Sequence, residues 1–167
     1  MINVAIVEDE DNAAELFTEY LKRFSKQYGT EIRAERFTNA ISFLTGYGGN
    51  FDIVFMDIEL PEMNGMDAAA KLREIDMSVT LVFVTNMAQY AVRGYEVGAT
   101  DYIVKPVSYY DFSLKLQRIV KYIGNHGDAK IALPSKEGMV CLPLSRIKYV
   151  EVRKHNVLFH TEDGEYP

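Results

Sequence analysis

The sequence has only one cysteine, Cys141, among its 167 residues. A single cysteine excludes an intrachain disulfide and a metal site built from a cysteine cluster. Long apolar runs are also missing: none approaches 18 residues, so we expect no membrane span. A charged leader with a cleavage site is missing too, because a strand-like run follows Met1 directly. These absences favour a protein of the reducing cytoplasm.

An excess of basic residues is likewise absent. The chain has 18 Lys and Arg against 24 Asp and Glu, and its net charge of −6 argues against a general nucleic-acid binder. Apolar residues make up 48% of the chain, which is enough to bury a sizeable core. The length suits one ample domain, or one domain with part of another.

Strand-like runs alternate with helical periodicity over residues 1–124. We predict strands at residues 2–7, 31–37, 53–56, 80–84 and 100–104. We predict helices at residues 12–29, 38–48, 64–76, 87–95 and 108–124, with Asn12, Thr38 and Ser108 as N-caps and Gly124 as the final stop. Such alternation predicts an α/β fold with a parallel sheet covered by helices on both faces.

The pattern changes after residue 129. Short strand candidates at residues 130–133, 139–142, 147–152 and 157–161 are separated by turn residues, without helical periodicity. We interpret them as the start of an all-β domain. Since about 40 residues cannot easily close a core, we expect the chain to end inside that domain. The predicted organisation is a first domain at 1–124, a linker at 125–130 and an incomplete second domain at 131–167.

Polar residues follow four of the five predicted strands. Glu8 and Asp9 follow the first strand, Asp57 the third, Thr85 the fourth and Lys105 the fifth. The carboxyl ends of parallel strands meet at one edge of the sheet, where such folds bind their ligands. Neighbouring carboxylates repel each other unless a cation joins them, and all-oxygen ligands suit Mg²⁺.

These residue types also suit a phosphoryl group. Lys105 supplies a positive charge and Thr85 a hydroxyl donor, and with a metal ion they could hold phosphoryl oxygens. Asp57 would be the nucleophile, forming an aspartyl-phosphate. Taken alone, each of these residues could equally well be a helix cap, a turn residue or a solvated loop residue. Their shared position at the strand ends favours the phosphoryl-transfer interpretation.

Four motifs at these strand ends resemble the receiver domain of two-component response regulators. They are VEDE at residues 7–10, FMDIELPEMNG at 55–65, VTN at 84–86 and GATDYIVKP at 98–106. The resemblance covers residues 1–125. It implies a flavodoxin-like, doubly wound five-stranded parallel sheet, and a phosphoryl group taken from a sensor histidine kinase.

The resemblance also implies residue roles. Asp57 is the phosphoacceptor, and Thr85 and Lys105 bind the phosphoryl group. Glu8, Asp9 and Asp57, with the backbone carbonyl of Glu59, hold Mg²⁺. The chain would then be a phosphoacceptor that assists its own phosphorylation and dephosphorylation, and not an enzyme with a turnover substrate.

A conformational switch is implied in the same way. Tyr102 matches the family's switch aromatic and fills the space that the Thr85 hydroxyl leaves on phosphorylation. The face made by residues 87–95, the fifth strand and the last helix then changes shape, which favours a homodimer. The Lys105–Pro106 peptide bond is expected to be cis.

The tail, residues 129–167, resembles the opening of a LytTR-type DNA-binding domain. The features that carry this are residues 147–151, the loop at 154–156 and residues 160–164. The resemblance implies promoter DNA as a partner of the complete effector domain. Arg153, Lys154 and His155 suit phosphate or base contacts, and they equally suit a polar hairpin turn.

Other interpretations stay open at this point. One is a stand-alone receiver that binds proteins or shuttles phosphate without binding DNA. Another is a phosphohydrolase, since Asp57-Ile58-Glu59 approximates a DxD motif. A third is a receiver that never takes phosphate. Glu59 is itself an extra charge near Asp57, and we hypothesise that it slows attack by anionic donors or water; the alternative is a solvated loop glutamate.

Overall fold

The computed structural model describes residues 1–90, 94–127, 130–135, 138–144, 147–153, 156–161 and 165–166. The chain divides into two compact units, residues 1–117 and 118–167. The predicted DNA-contact residues Lys154 and His155 lie outside the described residues. No helix in the described ranges combines the length and the apolar character needed to cross a bilayer.

A five-stranded parallel sheet forms the centre of the first unit. Its strands are β1 (Ile2–Val7), β2 (Ile32–Phe37), β3 (Ile53–Met56), β4 (Thr80–Thr85) and β5 (Asp101–Val104). Their order is β2-β1-β3-β4-β5, and every neighbouring pair is parallel. All residues of β3 and β4 are buried. The predicted α/β class and doubly wound sheet are therefore confirmed.

Four α-helices can be given bounds within the described residues, and they connect or follow these strands. They are α1 (Asp11–Tyr28), α2 (Ala40–Thr45), α3 (Gly65–Ile75) and α4 (Tyr109–Gly127). Aromatic side chains from two of them pack on one sheet face, with ring centroids 5.4 Å apart for Phe17 and Phe112 and 5.6 Å apart for Phe55 and Phe112. On the other face, Phe43, Met66 and Leu72 are buried in a cluster with residues of the central strands.

Several predicted helix ends are wrong. Helix α1 begins at Asp11, so Asn12 is inside the helix and does not cap it. The cap of α2 is Asn39, whose side chain accepts the Ser42 N–H, and not the preceding Thr38. Helix α4 continues past Gly124 to Gly127, because glycine lowers helix propensity without forbidding the helix. The predicted cap Ser108 agrees with the structure, and Asn64, which caps α3, is an addition to the prediction.

The helix predicted at residues 87–95 lies only partly within the described residues, where Gly94 is helical. Ala88–Tyr90 and Tyr95–Val97 are short 3₁₀ turns, and residues 91–93 lie outside the described part of the chain. The carbonyl of Met87 accepts hydrogen bonds from the Tyr90 N–H and from the Tyr102 hydroxyl. The bond from the Tyr90 N–H spans three residues, as is typical of a 3₁₀ turn.

The second unit contains two antiparallel sheets. One pairs β6 (Lys130–Ser135) with β7 (Gly138–Pro143). The other has the order β10-β9-β8, from β8 (Ile147–Arg153), β9 (Asn156–Thr161) and β10 (Glu165–Tyr166). The four predicted strands are present, and β10 is an addition to the prediction.

Candidate functional site

Four strand ends bring polar side chains to one edge of the parallel sheet. Glu8 follows β1, Asp57 follows β3, Thr85 ends β4 and Lys105 follows β5. Glu8, Asp57 and Thr85 are buried, with exposed fractions of 3%, 4% and 0%. Apolar strands flank them, so the polar groups of these residues must find partners within the protein.

The Lys105 ammonium joins the two buried carboxylates. Its Nζ lies 2.8 Å from Glu8 Oε2 and 2.6 Å from Asp57 Oδ2. Burial alone would lower the pKa of Lys105, but hydrogen bonds and charges from Asp57 and Glu8 outweigh it, and the pKa is raised. Burial raises the pKa of Glu8, and the pairing with Lys105 offsets this only in part. Two carboxylates thus share one cation.

The second oxygen of Asp57 has a backbone partner. The Glu59 N–H donates to Asp57 Oδ1 across 3.1 Å, and the Asp57 N–H donates to the Val7 carbonyl across 3.0 Å. The side chain of Glu59 itself is exposed. It borders a cleft that Met87 and Tyr90 also line. The nucleophile candidate is therefore fixed at its backbone and at both carboxylate oxygens.

Gly65 lies against the backbone of Asp57. A Cβ at position 65 would be 2.0 Å from the Asp57 carbonyl oxygen. Any residue other than glycine would therefore require the backbone to move. The Gly65 N–H donates to the Ile58 carbonyl across 2.9 Å and closes the loop. The sequence indicated only a turn here, because a close approach of two backbones leaves no other signal in residue type.

Thr85 and Tyr102 lie on neighbouring strands at the same edge. The Thr85 hydroxyl accepts the Met87 N–H across 3.3 Å, and the Tyr102 hydroxyl donates to the Met87 carbonyl. Burial, followed by the charge of Asp57, raises the pKa of Tyr102. The Lys105–Pro106 bond, which follows β5, is cis, as expected. The loop after β4 is thus attached to both predicted switch residues.

Asp9 differs from the other predicted ligands because it is exposed. Its carbonyl accepts a hydrogen bond from Arg36, a residue of β2 that the sequence analysis did not identify. The carboxylate of Glu8 also accepts the Glu10 N–H across 3.3 Å. The acidic loop after β1 therefore has partners from β2 as well as from Lys105.

A divalent cation was predicted at this edge. In the part of the chain that the structure describes, no group of three His, Cys, Asp or Glu side chains meets the geometry of a metal site. Glu8 and Asp57 instead meet at Lys105. The donor set nevertheless has the chemistry for Mg²⁺, because two buried carboxylates with one ammonium leave a negative charge that burial makes costly. The Mg²⁺ site stays a prediction.

Of the three predicted DNA-contact residues, one lies among the described residues. Arg153 is the last residue of β8, and the other two candidates lie outside the described residues. His160 of β9 is buried, with Nε2 3.1 Å from Glu151 Oε2, and its ring stacks on Tyr149 at 4.2 Å between centroids. The contacts of His160 are those of a packed strand residue.

Residues 4–117 match the family model of the response regulator receiver domain. An uncharacterized response regulatory protein of Yersinia pestis is 31% identical over 92% of this chain and 63% of that protein. The sensory transduction protein LytT of Bacillus subtilis is 30% identical over 99% of this chain and 71% of its own length. The response regulatory domain of protein mrkE from Klebsiella pneumoniae has a TM-score of 0.66 at 27% identity, covering 74% of this chain and 99% of that one. The chain thus spans roughly two thirds of the length of these two curated relatives.

Proposed function

The chain belongs to the response regulator receiver domain family and is homologous to LytT-type regulators of two-component systems, and on this basis we propose that Asp57 accepts a phosphoryl group from a sensor histidine kinase. One observation carries the proposal. The buried Asp57 carboxylate lies between the Lys105 ammonium and the Glu59 N–H, at the carboxyl edge of a parallel sheet. This arrangement holds a nucleophile in place beside a positive charge.

The transfer itself needs few groups. One carboxylate oxygen of Asp57 forms a bond to phosphorus while the bond from phosphorus to the histidine nitrogen of the kinase breaks, and the imidazole leaves. Lys105 compensates the charge of the phosphoryl oxygens, and the Thr85 hydroxyl donates to one of them. The product is an aspartyl-phosphate, so the chain is a phosphoacceptor and not a turnover enzyme.

Mg²⁺ fits this site as a cofactor. Glu8, Asp9 and Asp57, with the Glu59 carbonyl, would hold it, and when bound it supplies the positive charge that a phosphoryl group requires. Support comes from the charge count, since Lys105 already serves two buried carboxylates. An incoming phosphoryl group adds further negative charge that Lys105 alone does not neutralise.

The output follows from the loop after β4. When the Thr85 hydroxyl turns to the phosphoryl group, it gives up the Met87 N–H, and Tyr102, whose hydroxyl donates to the Met87 carbonyl in this structure, fills the space that Thr85 leaves. The loop and the face formed by residues 87–90, residues 94–95, β5 and α4 then change together. We propose that this face forms a homodimer in the cytoplasm, and that a complete LytTR-type effector then binds promoter DNA.

The decisive experiment treats the purified chain with acetyl phosphate, with and without Mg²⁺, and measures its intact mass. We expect an added phosphoryl group only with Mg²⁺, located on Asp57 and absent from D57N. The exposed acid Glu74 offers a control, and E74Q should be phosphorylated like the unaltered chain. A chain without a Mg²⁺-dependent adduct, or an adduct that persists in D57N, would contradict the proposal.

A further inference from the structure

Arg36 binds the acidic loop after β1 with three of its nitrogens. Nε donates to the Glu8 carbonyl across 3.1 Å, Nη2 donates to the Asp9 carbonyl across 2.9 Å, and Nη1 donates to Asp11 Oδ1 across 2.7 Å. A planar guanidinium presents its donors in a fixed fork, so three simultaneous bonds restrict both partners. The loop that carries two predicted cation ligands is therefore attached to β2.

The end of β2 fixes the Glu8 backbone from both sides. The Glu8 N–H donates to the carbonyl of Phe37 across 2.9 Å, while the Glu8 carbonyl accepts from Arg36. The Asp9 carbonyl also accepts a hydrogen bond from the guanidinium of Arg36. Once these peptide groups are fixed, the directions in which the side chains of Glu8 and Asp9 leave the backbone are fixed as well. No other side chain among the described residues is shown binding the carbonyls of both.

From these contacts we infer that Arg36 is a positioning residue for the divalent cation of the receiver site: its fork fixes the backbone from which the side chains of Glu8 and Asp9 extend. This rests on the proposed function, and it adds a residue from β2, a strand that contributes no ligand. Outer partners that orient metal ligands commonly change metal affinity by about tenfold to a hundredfold when they are removed.

Geometry and charge predict opposite effects for Arg36. A guanidinium close to a cation site repels the cation, so an Arg36 that acted only through its charge would weaken binding, and its removal would strengthen it. A positioning role predicts that removal weakens binding. It also predicts that lysine cannot replace arginine, because an ammonium keeps the charge but lacks the fork.

The test measures the Kd of Mn²⁺ for the full chain by electron paramagnetic resonance, which detects free Mn²⁺ directly. The chains compared are the unaltered protein, R36K, R36Q, E74Q and D57N, each checked for folding by circular dichroism. We expect the Kd to rise about tenfold in R36K and in R36Q. E74Q removes an exposed acid of α3 that does not contact Arg36, so its Kd should stay within about twofold.

Each outcome decides between the two claims. A Kd that is unchanged in R36K, or lower in R36Q, overturns the positioning role while the proposed receiver site stands. Should R36Q not fold, the R36K value decides alone. Failure of the unaltered chain to bind Mn²⁺, or binding that D57N does not weaken, overturns the proposed site itself.

Discussion

Thr85 and Tyr102 bind the same residue, Met87, through its two backbone groups. The Thr85 hydroxyl accepts the Met87 N–H across 3.3 Å, and the Tyr102 hydroxyl donates to the Met87 carbonyl. Two side chains from adjacent strands thereby control one short loop. Met87 therefore links the two hydroxyls, which belong to the neighbouring strands β4 and β5.

The Tyr102 hydroxyl can be removed without changing the ring. We expect Y102F to lower the free energy of unfolding by about 1 kcal/mol, the usual net value of one hydrogen bond, and to weaken phosphorylation-dependent dimerisation. Urea unfolding and sedimentation would measure the two effects. Tyr110 is 70% exposed, so Y110F should change stability by less than about 0.5 kcal/mol. Equal stability of Y102F and the unaltered chain would refute this.

The charge of Glu59 lies two residues from the nucleophile, and its N–H contacts Asp57. We expect E59Q to accelerate phosphorylation by acetyl phosphate by about threefold, because an exposed like charge near an anionic donor is removed and the backbone contact is kept. High salt should reduce the difference, since it screens exposed charges. Stopped-time mass measurements give the rates. If E59Q phosphorylates and dephosphorylates at unaltered rates, Glu59 is only a solvated loop residue.

Glu8 should make stability depend on pH. Burial raises its pKa above the ordinary 4.5, so the native state holds the proton more tightly than the unfolded chain. Protonated Glu8 therefore contributes to the stability of the fold. This contribution is complete below the ordinary pKa and is lost as the pH rises through the raised pKa of the native state. Without metal, E8Q should therefore melt about 3 °C higher than the unaltered chain near pH 7, and the difference should shrink near pH 4.

The comparison of E8Q with the unaltered chain needs a control for the loss of one negative charge. E74Q removes an exposed acid and should show a small difference that does not vary between these two pH values. A thermal gain for E8Q that is equal at both pH values would contradict the assigned role of burial at Glu8. Differential scanning fluorimetry without divalent ions is a sufficient measurement.

Gly65 and Gly124 can be compared by the same substitution, because their surroundings differ. A Cβ at Gly65 would overlap the Asp57 carbonyl at 2.0 Å, whereas one at Gly124 would meet nothing within 4 Å. We expect G65A to destabilise the chain by about 3 kcal/mol and to abolish phosphorylation, since the backbone of Asp57 must move. G124A lies in α4 and should be neutral or stabilising by up to about 1 kcal/mol. Normal phosphorylation of G65A would disprove the packing argument.

Much of the first unit could be predicted because its signals are local. The buried strand that precedes Asp57 shows as an apolar run, and Ser108 shows as a cap before a helical pattern. Their placement at one sheet edge then follows from the rule that parallel strands share a direction. The residues at strand ends could therefore be chosen from sequence order alone.

The contacts that escaped prediction join side chains to distant backbone. Arg36 donates to the carbonyl of Glu8, 28 residues away, and a carbonyl carries no information about residue type. The Met87 carbonyl, next to the turn at residues 88–90, accepts a hydrogen bond from the hydroxyl of Tyr102, a residue of β5 that no local pattern connects with it. The start of α2 was misplaced by one residue because Thr38 and Asn39 are both good caps.

The position of Lys105 has one more consequence. Its ammonium binds both carboxylates that the cation would use, so it is an internal competitor for the divalent ion. By thermodynamic reciprocity, whatever draws Lys105 away from Glu8 and Asp57 tightens cation binding, and a bound cation frees Lys105 for an incoming anion. Binding of the metal ion and binding of the phosphoryl group would then each increase the affinity of the pocket for the other.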